Sequence, residues 1–141
     1  MIVERFKPSH LEELMLQPAQ EYARGDMEKK GYGEVLAKGD SFTGIIDGRI
    51  VVCAGVVPMW AGRGETWALI AGDIGKLGMR ELHYAARRYL EMSQLRRIEA
   101  HCDASFKQAH RWLKLLGFQY EGPLAKYTPD GRDCLRFARI R

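Results

Sequence analysis

Cysteine is scarce in this 141-residue sequence: Cys53, Cys102 and Cys134 are the only three, and no two of them form a CxxC pair. An odd count without that spacing excludes a zinc ribbon, a dithiol redox motif and a disulfide framework, leaving three reduced, partly buried thiols. Long apolar runs are absent too. No stretch approaches the roughly 18 consecutive apolar residues of a bilayer span, so a membrane is not an expected partner. The opening run MIVERFKPSHLEE lacks the apolar block of a secretory signal, and the expected location is the cytoplasm. No repeat, low-complexity tract or linker divides the chain, which reads as one domain over residues 1–141. The phosphate-loop spacing GxxxxGK(S/T) does not occur. Neither a helix-turn-helix signature nor an aromatic-interleaved basic strand is present, so nucleic acid is not the expected partner.

What is present is the balance of a folded globular chain, with 46% hydrophobic and 28% charged residues. A net charge of +4 favours an acidic partner, such as the phosphates of a nucleotide cofactor or an acidic protein surface. Arg87, Arg88, Arg96, Arg97 and Arg111 are the densest basic residues, and such a run is more often a solvated face than a contact.

The pattern along the chain alternates between strand and helix. MIVERF reads as a short strand; Ser9 and Glu12 have capping-box spacing, which predicts a helix from about His10, broken at Pro18 and closed at Gly25. SFTGIID and RIVVCAGVVPMW form two strands around an Asp47-Gly48 hairpin tip. After the turn AGRG, the run ETWALIA reads as a buried central strand stopping at Gly72. GDIGKLG then reads as a loop into an amphipathic helix with Leu82, Ala85, Ala86, Tyr89 and Leu90 on its apolar face.

LRRIEAHC alternates, with Ile98, Ala100 and Cys102 on one face and Arg97, Glu99 and His101 on the other. Strand, loop, helix and strand in this order make a crossover unit, so the two strands are expected to be parallel. Ser105 and Gln108 have the spacing of a second capping box, ahead of a helix carrying Phe106, Ala109, Trp112, Leu113 and Leu116 and ending at Gly117. Two strands around an Asp130-Gly131 turn close the chain.

This order of elements resembles the GNAT superfamily of acyl-CoA N-acyltransferases, most specifically through WLKLLGF, QYEGPLAKY, the DGRD turn and CLRFARI. TWALIAGDIGKLG, the basic helix and HRWLKLLGF are also similar to degenerate, phage-type members found as internal virion proteins of short-tailed bacteriophages. The resemblance implies an α/β fold: a mixed, mostly antiparallel sheet with a central parallel strand pair and helices on both faces. It also implies acyl transfer, acetyl first, from acetyl-CoA or another acyl-CoA to a primary amine on a small molecule or protein. A second implication stays open beside it: a catalytically silent phage or prophage protein in host cytoplasm or virion, with other virion components as partners.

Carried onto this sequence, the resemblance places the pantetheine arm against Leu69, Ile70 and Ala71, and the pyrophosphate over Gly75, Lys76, Leu77, Gly78 and Met79. The family's loop pattern is Arg or Gln, two residues, Gly, one residue, then Gly or Ala; only Gly78 matches it, with Asp73 at the first position and Lys76 at the first glycine. A plain strand-to-helix connector is the competing reading of this loop. Leu113 occupies the position of the family's acid tyrosine, and Ser105 and Phe106 stand where an asparagine is common.

Candidate bases are His101, whose imidazole type titrates near neutrality, with Glu99 on the same strand face and Glu65 at the start of the central strand. A solvated or hydrogen-bonded strand face is the competing assignment for them. His83 and His110, set within helices, read as boundary residues. Trp60, Trp67 and Trp112 read as core or crevice walls.

Overall fold

A computed structural model describes all 141 residues. Seven strands form one sheet in the order β1-β2-β3-β4-β5-β7-β6: β1 (Ile2–Arg5), β2 (Ser41–Ile46), β3 (Arg49–Trp60), β4 (Arg63–Ile70), β5 (Arg97–Asp103), β6 (Gln119–Leu124) and β7 (Cys134–Ile140). Every neighbouring pair is antiparallel except β4 and β5. Asp47 and Gly48 both take positive φ, 50° and 75°, the conformation that lets a two-residue turn follow the twist of β2 and β3.

Short helices α1 (His10–Glu13), α2 (Arg24–Met27) and α3 (Tyr32–Leu36), with a 3-10 turn over Pro18–Ala23, cover one face. Their Leu11, Met27 and Leu36, with Leu14 just past the end of α1, join Val51, Cys53 and Leu69 in the larger core cluster. On the other face lie α4 (Gly75–Met92) and α5 (Lys107–Leu115), and Leu90, Leu113 and Leu116 pack with Ile98, Ala100, Cys102 and Phe137. Gly78 brings α4 close to β2, because a Cβ there would lie 2.7 Å from Ile74 Cγ1 and 2.8 Å from Ile46 Cδ1. Gly117, at φ +91°, closes α5 while Phe118 N donates to Leu113 O at 3.0 Å. No helix is long and apolar enough to cross a membrane.

The structure corrects several sequence expectations. Neither Ser9 nor Ser105 caps a helix through its side chain. The Asp103 carboxylate instead accepts the Ser105 amide at 2.9 Å and its hydroxyl, because a carboxylate outcompetes a helix amide for that hydroxyl. Gly25 lies inside α2; the N-terminal region breaks at Gly31, where φ is 84°. Arg63 and Gly64 belong to β4, which shortens the AGRG turn to Ala61 and Gly62. The helix after β4 starts at Gly75, four residues ahead of Met79, since Gly75 takes its positive φ at the very end and Gly78 turns to the sheet.

The seam between β4 and β5 is short. It holds three pairs, Arg63 with Arg97, Gly64 with Ile98 and Glu65 with Glu99, and no more. β4 stays paired with β3 as far as Ile70, and β5 with β7 as far as Asp103. The sheet therefore forks beyond Glu65 and Glu99, each prong keeping its own antiparallel partner.

Candidate active site

The fork opens onto a cavity of about 730 Å³, walled by Thr66 to Ala68 of β4, Ala100 to Asp103 of β5, and apolar side chains of α4 and α5 that include Met79, Leu82, Ala86, Trp112 and Leu113. Its size and mostly apolar lining match those of a small-molecule site.

Alternation along β4 sets which backbone groups face the gap. Ala71 N donates to Val51 O of β3 at 2.9 Å, and Leu69, two residues earlier, shares that orientation, so both turn away from the fork. Ile70 faces it, as does Ala68. Of the three strand-end residues expected to meet a pantetheine arm, only Ile70 presents its polar groups to the gap, and Ala68 takes the place of its neighbours. Those groups are engaged: Gln20 Nε2 donates to Ala68 O at 2.7 Å, its Oε1 accepts from Ile70 N at 2.9 Å, and Gln17 N donates to Ile70 O at 2.9 Å.

The helix tip after β4 is free. The amides of Gly75, Lys76 and Leu77 have no backbone acceptor, as the first amides of a helix generally do not. Leu77 is 76% exposed, so this turn stands in solvent. Asp73, whose charge would oppose a phosphate, is ion-paired with Arg49 on β3. Gly78 and Met79 play other parts, Gly78 in the contact with β2 and Met79 in the cavity wall.

On the opposite face, at the point where the strands part, His101 Nδ1 lies 2.7 Å from Glu65 Oε1. With a carboxylate as partner, Nδ1 carries the proton and donates it, which leaves the Nε2 lone pair open. The same hydrogen bond holds the Glu65 carboxyl below its ordinary value, with the charge of Arg136 adding to the effect. Tyr127, from the loop between β6 and β7, stacks edge-on against the imidazole with ring centroids 4.8 Å apart. β4 and β5 thus bring two of the three candidate bases together, and they act as one unit, with Glu65 orienting His101.

Glu99, the third candidate, is placed differently. It is 5% exposed and accepts four hydrogen bonds from three guanidinium groups: Arg63 Nε at 3.0 Å together with Arg63 Nη2, Arg97 Nε at 2.7 Å and Arg136 Nη1 at 2.6 Å. Arg63 above all, with Arg97 and Arg136, lowers its carboxyl to about 2. A group so acidic, with its lone pairs committed, cannot take a proton at neutral pH. Glu99 ties β4, β5 and β7 together instead.

Leu113 lies in the cavity wall, 8% exposed, so no hydroxyl stands at that point of α5. Tyr22 and Tyr89 also line the cavity; Tyr89 donates to Asp40 Oδ2 at 3.1 Å, and burial pushes its phenol up to about 12. His83 accepts from Trp112 Nε1 at 3.3 Å, and His110 Nε2 donates to Asp103 O at 2.9 Å, so both are structural. Trp67 and Trp112 are cavity walls, whereas Trp60 is 62% exposed beneath Arg63. Two of the five arginines are already paired, Arg87 with Glu91 and Arg97 with Glu99 and Glu121. The three cysteines are buried and unpaired. Sequence reasoning missed Gln20, Tyr22 and Tyr127; the first two belong to no motif, and Tyr127 ends the QYEGPLAKY run with nothing there to mark it as a site residue.

No family model matches the sequence, and no curated protein matches it. Solved structures share the fold over nearly the whole chain. An N-acetyltransferase from Staphylococcus aureus Mu50 superposes with a TM-score of 0.73 at 13% identity, covering 99% of this chain and 97% of that one. An aminoglycoside 6'-acetyltransferase type Ii gives 0.70 at 16% identity, with coverage of 99% and 97%. The ribosomal-protein-S18-alanine N-acetyltransferase from Escherichia coli gives 0.68 at 16% identity, covering 99% and 92%. The seven-stranded, mostly antiparallel sheet with one parallel pair is thus the fold of GNAT acetyltransferases.

Proposed function

We propose that this GNAT-fold chain is an acyl-CoA-dependent N-acyltransferase, acting first on acetyl groups, with a primary amine as acceptor. The observation that carries the proposal is the fork between β4 and β5, open to a large apolar cavity, with the His101–Glu65 pair at its root. Acyl-CoA, when bound, supplies an activated acyl group on a thioester. Ala68 and Ile70 would hold the pantetheine arm, and the free amides of Gly75, Lys76 and Leu77 would hold the pyrophosphate through the positive helix end. Lys76 adds a point charge there.

An amine must be neutral to attack a carbonyl. His101, through Nε2, takes the proton that the amine loses, while Glu65 fixes the ring and stabilises the imidazolium formed. Leu113 offers no proton to the departing sulfur; a thiol titrates near pH 8.5, so thiolate leaves tolerably without an acid.

Two features favour a second reading, a catalytically silent GNAT-fold protein, for which a phage or prophage source and a virion role rest on the sequence resemblance alone. Leu113 removes the hydroxyl usual in the family, and Gln20 occupies the β4 edge. One assay separates the two. With acetyl-CoA and a panel of polyamines, aminoglycosides and peptides with free N-termini, the transferase reading expects amine-dependent release of free thiol. No release with any acceptor at millimolar acetyl-CoA, together with recovery of the chain from purified particles, would establish the second.

A further inference from the structure

The edge of β4 at the fork is covered by the chain itself. Gln20 lays its carboxamide against the strand as a neighbouring β-residue would, one donor to Ala68 O and one acceptor for Ile70 N. Gln17 reinforces it: its amide donates to Ile70 O, and its side-chain Nε2 donates to Gln20 Oε1 at 2.9 Å, filling the second lone pair of that oxygen. Two residues further on, the ring of Tyr22 lies 4.6 Å from the guanidinium carbon of Arg132. Arg132 belongs to the loop that precedes β7, on the far prong of the fork. Residues 17–22 therefore cross the mouth, hooked to β4 at one end and to the β6–β7 loop at the other.

The flanks are fixed and the span is not. Leu16 and Ala23 are each 8% exposed in the core, and Gly72 N donates to Met15 O at 3.1 Å. Between them Pro18, Ala19, Glu21 and Tyr22 are exposed. The span can lift without unpacking the core, at the cost of the Gln17 and Gln20 bonds and one cation–π contact. Each intramolecular hydrogen bond of ordinary net strength shifts an equilibrium by only a few-fold to about tenfold, so three bonds to β4 and one cation–π contact favour the closed form by roughly 10²- to 10³-fold, which leaves opening within thermal reach.

We infer that residues 17–22 are a strap that closes the β4 edge in the resting protein and unhooks before anything pairs there. That the displacing ligand is an acyl-CoA arm rests on the transferase reading; the closure rests on the hydrogen bonds alone. A strand edge can pair with one partner at a time, and the two groups Gln20 satisfies are those a secondary amide would need. The strap therefore lowers apparent affinity by the fraction of time it is closed.

Amide hydrogen exchange by NMR, joined to calorimetric titration with CoA, tests this on wild type, Gln20→Ala and Tyr22→Ala. In Gln20→Ala the Ile70 amide is expected to exchange about tenfold faster, while Ala71, bonded to Val51 O, is unchanged. Both variants are expected to bind CoA a few-fold to tenfold more tightly. Unaltered Ile70 exchange in Gln20→Ala overturns the strap, and so does faster exchange with unchanged or weaker CoA binding. If no form of the protein binds CoA at millimolar concentration but Ile70 exchange still quickens, the transferase reading fails and the closure stands.

Discussion

Replacing His101 with alanine is expected to lower kcat by roughly 10²- to 10⁴-fold, the usual contribution of a positioned general base, and to leave CoA affinity unchanged. The imidazole lies at the root of the fork and is bonded to Glu65 rather than to the β4 edge or the helix tip, so its loss should fall on turnover alone. Glu65→Gln should do less: an amide oxygen can still accept from Nδ1, but it no longer stabilises the imidazolium. Thiol release under saturating acetyl-CoA, paired with a direct measurement of CoA binding, separates the two effects. Unchanged turnover in His101→Ala would move the base elsewhere.

The second large effect concerns Glu99, which holds the parallel seam. Its carboxylate joins Arg63 of β4, Arg97 of its own strand and Arg136 of β7, and the seam ends at this residue. Removing it leaves three guanidinium groups facing one another without their shared anion. Breaking a buried ion cluster from one side typically costs about 3–5 kcal/mol, so Glu99→Ala should destabilise the fold by about that amount in urea melts.

The same carboxyl gives a pH signature. Its value in the folded protein, about 2, lies below the ordinary 4.5. A depressed carboxyl contributes stability that is complete above its unfolded value and is lost as pH falls through the folded one. The difference corresponds to about 3 kcal/mol, disappearing between roughly pH 5 and pH 2. Wild type should lose this stability on acidification, and Glu99→Gln, uncharged throughout, should lose about that much less. Parallel acid profiles for the two proteins would show that the cluster does not carry the seam.

Local rules made much of the fold readable. Asp47-Gly48 specified the hairpin, the alternation of Ile98, Ala100 and Cys102 against Glu99 and His101 specified the faces of β5, and the crossover specified a parallel seam. Where one local rule met another, the reading slipped. Gly75 and Gly78 looked like loop residues, yet one begins α4 and the other faces β2, where a side chain would not fit.

The site was half legible. Pattern alone put His101 and Glu99 on one face, but could not say that three arginines from three strands would claim Glu99 and leave His101 to Glu65, 36 residues away. Gln20 was invisible for the same reason: its partner Ala68 is 48 residues distant, and a glutamine in a short polar stretch carries no signal of a strand edge waiting for it.

Binding of CoA in the fork between β4 and β5 is open to a direct test, a titration of CoA into labelled protein followed by amide NMR. Saturable shifts are expected at Ala68 and Ile70, at Gly75, Lys76 and Leu77, and at His101 across the gap. Resonances that stay still at these positions up to millimolar CoA, or saturable shifts confined to the outer strands β1 and β6, would contradict it.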